Sequence, residues 1–183
     1  MKPNANLQTE NVAEFLLFIF QIEAIIRSYG LDINLIDKEF LKPALEKTDD
    51  YQLHFDWYSQ LVGEMQQRQL QKEGHIEIVE EILIELIYLH NTLLTILNDD
   101  HYKKLCDQAN EALQAFKQKS NMSNRHDIET LLHAMFMKLQ LKINKQQIGQ
   151  QTESAMELFR LQLAYLSAQY KRMRLGELNF IQN

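Results

Sequence analysis

The sequence contains few of the residues that build turns, hairpins and cross-links. Its 183 residues include only five glycines, two prolines and one cysteine. Because sandwiches and barrels need turn formers at every chain reversal, this scarcity excludes an ordinary all-β fold. The lone Cys106 excludes an internal disulfide framework and any paired-cysteine metal or redox motif. The composition therefore favours long helices, and the length is sufficient for one domain with a sizeable core.

Charge and apolar runs limit the classes of partner. The formal net charge is -6 with no basic block, which argues against nucleic acid or an anionic membrane as a partner. The apolar stretch from Val12 to Ile26 is shorter than the roughly 20 residues that cross a bilayer, and it contains Glu14 and Glu23. It also lacks the organisation of a secretory signal. We therefore expect a cytoplasmic protein that makes no membrane contact.

Apolar residues recur at helical spacing along most of the chain, and no segment shows the alternation of a strand. The predicted helices cover about 9–29, 34–41, 48–73, 76–97, 99–117, 125–142 and 153–175. Pro43 is expected to end the second helix, and Gly30, Gly74 and Gly176 are placed to end the first, third and last. The sequence therefore predicts an all-α fold, a single bundle of six or seven mostly antiparallel helices.

The pattern also predicts the limits of the domain. Residues 9–176 should form the bundle, with short tails at 1–8 and 177–183. The most polar connection is the segment 118–124, with the sequence QKSNMSN, and it is the best candidate for a hinge.

The first helix is apolar around most of its circumference. Its polar strip is narrow and consists of Glu10, Glu14, Gln21 and Ser28. A helix of this kind either lies at the centre of a bundle or shares a second face with another chain. The sequence leaves both arrangements open: a central helix within one chain, or an interface between copies in a homo-oligomer.

Four polar side chains fall on or beside apolar faces: Glu23, Arg27, His54 and His90. Glu23 and Arg27 are one turn apart, a spacing that permits an ion pair. Each residue has a structural interpretation, as an ion pair at the rim of the bundle or as a satisfied core histidine. If the four converge, they form instead a polar pocket, in which the arginine holds an anion and a neutral histidine accepts a proton.

No catalytic or cofactor-binding motif accompanies these residues. None of the six histidines follows a glutamate by three positions, so the Glu-x-x-His signature of di-iron bundles is absent. The scattered glycines exclude a Walker loop and a dinucleotide fingerprint. A weak metal-site alternative is His126, Glu129 and His133, which share one side of a helix. We expect these three to be ordinary polar residues on a solvated flank, and we expect no cofactor.

The block NVAEFLLFIFQIEAIIRSYGLDI, residues 11–33, together with the GEL at 176–178, resembles a family of bacterial proteins. That family is a domain of unknown function found mainly in Bacteroidetes, and the resemblance extends along the whole chain. It implies an all-helical cytoplasmic protein. It carries no established activity, so it transfers no catalytic or ligand-binding residue.

Two functions from different classes follow. The first is a non-catalytic helical module that acts by binding, either by self-association or by docking another protein. The second is a small-molecule site or an enzyme built on Glu23, Arg27, His54 and His90.

Overall fold

The computed structural model describes residues 6–45 and 50–178, and all the regular structure in those ranges is helical. The α-helices are α1 (Leu7–Glu10), α2 (Val12–Ser28), α3 (Ile33–Ile36), α4 (Lys42–Leu45), α5 (Tyr51–Gln67), α6 (Glu77–Thr95), α7 (Asp100–Lys119), α8 (Asp127–Ile143) and α9 (Gln150–Arg174). A π-helical turn, Asp37–Leu41, joins α3 to α4. The all-α prediction is confirmed. None of the described helices is both long and apolar enough to span a bilayer.

Two of the predicted glycine stops are correct. Gly30 and Gly176 follow α2 and α9 with positive φ angles of 62° and 70°. In each case the next N–H donates to a carbonyl five residues back in the helix, from Leu31 to Ile26 in the first. This is the Schellman ending, and it needs a residue that tolerates the left-handed conformation.

The predicted end of the third helix is wrong. Helix α5 stops at Gln67, because Gln69 adopts a φ of 57° and the N–H of Leu70 turns back to the Met65 carbonyl at 2.8 Å. Leu70 is buried there at 7% exposure, which favours the early turn over another helical turn. The predicted start of this helix, at residues 48 and 49, lies outside the described residues, as do 1–5 and 179–183 of the predicted tails.

The prediction that Pro43 ends the second helix is also wrong, since α4 continues to Leu45. Pro43 is the second residue of α4 and follows the π-helical turn. The segments from Ile33 to Leu45 follow one another without a break, and the Lys42 N–H donates to the Asp37 carbonyl at π-helical spacing, so the hydrogen-bond pattern has already shifted where the proline lacks its N–H.

The described residues group into two compact units. One comprises residues 18–80 (with 46–49 outside the description), and the other comprises 6–17 and 81–178. In the second unit α9 packs against both α7 and α8. The segment 118–124 comprises the last two residues of α7 and the turn after them, where the Met122 N–H donates to the Lys117 carbonyl at 2.9 Å. A single domain over 9–176 and a hinge at 118–124 stay predictions.

The chain itself encloses the apolar first helix. Leu16 and Ile26 of α2 are fully buried, and Phe18 and Ile25 on its flank are half-buried. In the described residues α2 therefore exposes little apolar surface, and its position at the centre of a single bundle stays a prediction.

Candidate functional site

Glu23 lies at the centre of a polar cluster in the unit formed by residues 18–80. Its side chain is only 2% exposed. Its Oε1 accepts the backbone N–H of Ile76 at 2.9 Å, and its Oε2 lies 2.7 Å from Nδ1 of His75. The His75 ring stacks on Phe20 with a centroid distance of 4.4 Å. These contacts explain how an apolar helix accommodates a buried carboxylate, which without partners would cost several kcal/mol.

The same carboxylate caps the start of α6. Ile76 precedes that helix, and its side chain cannot accept a hydrogen bond from the first N–H groups. Two acids from other helices do so instead: Glu23 of α2 accepts from Ile76, and Glu64 of α5 accepts from the Glu77 N–H at 2.6 Å. Carboxylates at a helix N-terminus also interact favourably with the helix dipole.

Arg27 forms hydrogen bonds with the loop before α6. Its NH1 lies 3.7 Å from Glu23, which confirms the spacing expected for an ion pair. Its Nε donates to the Leu70 carbonyl at 2.9 Å, and its NH2 donates to the Gly74 carbonyl. The donors that could have held an anion are therefore directed at carbonyls of the chain's own α5–α6 loop.

The two predicted histidines lie in different units. His54 is buried on α5, in the unit of residues 18–80. His90 lies on α6 in the other unit, where its Nδ1 is 2.8 Å from the Tyr102 hydroxyl and its ring stands edge-on to His126. The structure thus brings together Glu23 and Arg27, while convergence of His54 and His90 with them stays a prediction.

Burial keeps the His90 ring neutral near pH 7. Loss of hydration lowers its pKa to about 4, and the neighbouring His126 acts in the same direction. Nδ1 of the neutral ring and the Tyr102 hydroxyl share one hydrogen bond, and the tautomer of the ring sets which of the two is the donor. Burial also raises the pKa of the Tyr102 hydroxyl above its ordinary value, so this group keeps its proton.

A second buried contact joins α7 to α9 in the same unit. The Nε2 of Gln162 lies 3.3 Å from the Cys106 sulfur. The buried Oε1 of Gln162 has no hydrogen-bond partner among the described residues. Burial raises the pKa of the Cys106 thiol to about 11. The reactive species of a cysteine is its thiolate, so Cys106 is a weak nucleophile near pH 7.

The three residues of the metal-site alternative lie at or near the start of α8. Nδ1 of His126 accepts the Ile128 N–H at 3.2 Å, and the Glu129 carboxylate accepts the His126 N–H at 3.0 Å, which together make a capping box. The His133 ring lies beside Phe116. Within 6–45 and 50–178, no group of three His, Cys, Asp or Glu side chains is arranged to hold a metal ion.

Sequence analysis missed His75, the partner of Glu23. This residue lies in the loop between α5 and α6, where helical periodicity gives no information about side-chain direction. The available signal was its position directly before the apolar start of α6, where a side chain from another helix has to satisfy the first N–H groups.

Among the described residues, the most exposed large apolar side chains lie on α6, in the unit that contains 81–178. Ile84 is 68% exposed and Tyr88 is 61% exposed. Exposed residues extend the same line in both directions, and we call the line the outer stripe of α6: Glu81, Ile84, Tyr88, Asn91 and Thr95. The opposite side of the helix is buried, so the stripe faces away from the core.

Beside this stripe, Glu85 is held by the last turns of α9. It accepts a hydrogen bond from the Tyr170 hydroxyl, and Arg174 NH1 lies 3.1 Å from its Oε1. The carboxylate next to the apolar pair is therefore already neutralised by a cation.

Comparison with known proteins identifies a family. Neither the curated proteins nor the solved structures include a significant match to this chain. The model of the family described as Domain of unknown function (DUF4924) matches residues 1–177, so the match covers nearly the whole sequence. The resemblance noted in the sequence is confirmed, and the chain belongs to this family of domains of unknown function.

Proposed function

We propose that the protein is a helical binding module whose contact surface is the outer stripe of α6. The observation that carries the proposal is the exposure of Ile84 and Tyr88, 68% and 61%, on adjacent turns of one helix. Burying a large apolar side chain contributes about 1.5 to 3 kcal/mol, so two neighbours left in water form a favourable place for another protein surface.

The polar cluster supports binding over catalysis. Glu23 and Arg27 hold the loop before α6, and the His90 ring shares a hydrogen bond with the Tyr102 hydroxyl. A catalytic group has to reach a substrate within hydrogen-bond distance, and these groups instead contact the chain's own loop and core.

We place the module in the cytoplasm. The net charge of -6 without a basic block supports this location, because such a chain has no electrostatic attraction to an anionic membrane surface. Fractionation of the cells that naturally make the protein checks this part, and recovery in the membrane pellet would contradict it.

Site-specific photo-crosslinking in those cells tests the contact surface. A benzophenone amino acid replaces Tyr88, and a matched variant carries it at Ile143 of α8, which is 56% exposed. We expect irradiation to give a defined higher-mass adduct from position 88 and none from position 143. No adduct at 88, or the same adducts at both positions, would contradict the proposal.

A further inference from the structure

We infer that the partner of the outer stripe of α6 is a second copy of this chain, paired antiparallel about a two-fold axis between Ile84 and Tyr88. The inference rests on the proposed function and adds the identity and the orientation of the partner. It is carried by the spacing, the symmetry and the charges of the stripe.

The spacing is that of a helix–helix seam. Successive stripe residues alternate between steps of three and four along α6. Two helices pack side by side when their contacting residues recur in this way, because the contacts then stay on one line. The 81–95 portion of α6 is about 22 Å long at 1.5 Å per residue, so it offers a short seam.

The first four residues of the stripe are arranged symmetrically, and Thr95 lies beyond them. Ile84 and Tyr88 flank the centre of this part, while Glu81 and Asn91 stand at equal distances on either side of that centre. A two-fold axis there places Ile84 against Tyr88 of the second copy and Glu81 against Asn91 of the second copy. The carboxylate then meets an amide donor, and each surface is complementary to itself, as an isologous dimer requires.

The opposite orientation is disfavoured by charge. A parallel, in-register pair would set Glu81 against Glu81 of the second copy inside the seam. Like charges at such a position repel, and partial exclusion of water increases the repulsion. The antiparallel arrangement avoids this contact and keeps both apolar pairs.

The flank of the stripe also fits the two-fold axis. Glu85 lies next to the centre, so the axis brings the two copies of this residue near each other. Each is paired with an Arg174 that is 52% exposed in its side chain. Across the axis, the Glu85 carboxylate of each copy can therefore face the Arg174 guanidinium of the other copy. This attraction offsets the repulsion between the two carboxylates.

Disulfide trapping of the purified chain tests the pairing. In a Cys106→Ser background, three variants are compared: Glu81→Cys, Asn91→Cys and the double variant. Both positions are exposed, so the substitutions leave the core intact. Ten residues separate them, about 15 Å along the helix, so they cannot form a bridge within one chain.

Under mild oxidation we expect the double variant to form covalent dimer at least about tenfold faster than either single variant, because each cysteine then faces its bonding partner. Adding Ile84→Lys to the double variant should abolish the dimer, whereas adding Ile143→Lys should not. The circular dichroism spectra of all variants should be the same.

Efficient dimers from a single variant would show a parallel pair and overturn the inference. The absence of covalent dimer from every variant would exclude a second copy as the partner. In that case a photo-adduct of position 88 with a different protein would leave the proposed binding function standing, so the two failures are distinguishable.

Discussion

Burial sets the protonation state of the polar residues inside the unit that contains α7, α8 and α9. It lowers the pKa of His90 to about 4 and raises that of the Cys106 thiol to about 11. Tyr102 keeps its proton for the same reason. These side chains are therefore neutral near pH 7, and they act through packing and hydrogen bonds.

His90 should make the protein less stable in acid. A histidine in an unfolded chain has a pKa near 6.5, whereas the pKa of His90 in the fold is about 4. Between these values the unfolded state binds more protons, so the free energy of unfolding decreases as the pH falls from about 6.5 and levels off below about 4. A shift of this size corresponds to roughly 3 kcal/mol.

Urea unfolding at pH 7.5 and pH 4.5 measures this effect. The groups that face His90 are Tyr102, His126 and Asp127. His90→Gln, which cannot be protonated, should lose clearly less stability in acid than the wild type. His101→Gln changes an exposed histidine and should lose as much as the wild type. An equal loss in His90→Gln and the wild type would rule out this cause.

The sequence predicted the burial of His90 but not its partner. Its position on the apolar side of α6 follows from helical periodicity, which reports on one helix at a time. Tyr102 lies on α7, a different helix. The hydrogen bond between them depends on how two helices pack, which single-helix patterns do not contain.

At the scale of elements, the connection between α5 and α6 is held by side chains from elsewhere in its unit. Glu23 and Glu64 accept the first N–H groups at the start of α6, while Arg27 donates to two loop carbonyls. The i, i+4 spacing predicted the Glu23–Arg27 pair. It could not predict the early end of α5, because Gln69 is not a residue type that marks a left-handed turn.

Removing the central acid should loosen this connection. Glu23→Ala takes away the acceptor for the Ile76 N–H and the partner of His75, and leaves polar groups unsatisfied in a buried place. We expect a loss of about 3 kcal/mol in the free energy of unfolding. Amide hydrogen exchange in residues 68–77 should also become faster.

Glu14→Ala is the matched control, since it changes an exposed glutamate of the same helix. It should alter the free energy of unfolding by less than about 0.5 kcal/mol. If the two variants are equally stable, Glu23 does not hold the α5–α6 connection.

At the scale of the whole molecule, the informative feature is the apolar surface that stays exposed to solvent. The sequence indicated the first helix as a possible interface between copies of the chain, yet most of its apolar side chains are buried. Ile84 and Tyr88 are apolar like their core neighbours, and only their position on the outer side of α6 distinguishes them. Helical periodicity within α6 does not show that these two residues remain uncovered, because that depends on how the other helices pack.

Light scattering over about a hundredfold range of concentration measures whether the outer stripe of α6 is a self-association surface. One chain has a mass of 21.7 kDa. A seam this short belongs with weak interfaces, so the wild-type mass should rise with concentration from that value towards twice it. Ile84→Lys should stay at the mass of one chain, and Ile143→Lys should behave as the wild type. A wild-type mass that stays at 21.7 kDa throughout, or an Ile84→Lys variant that associates like the wild type, would contradict the account.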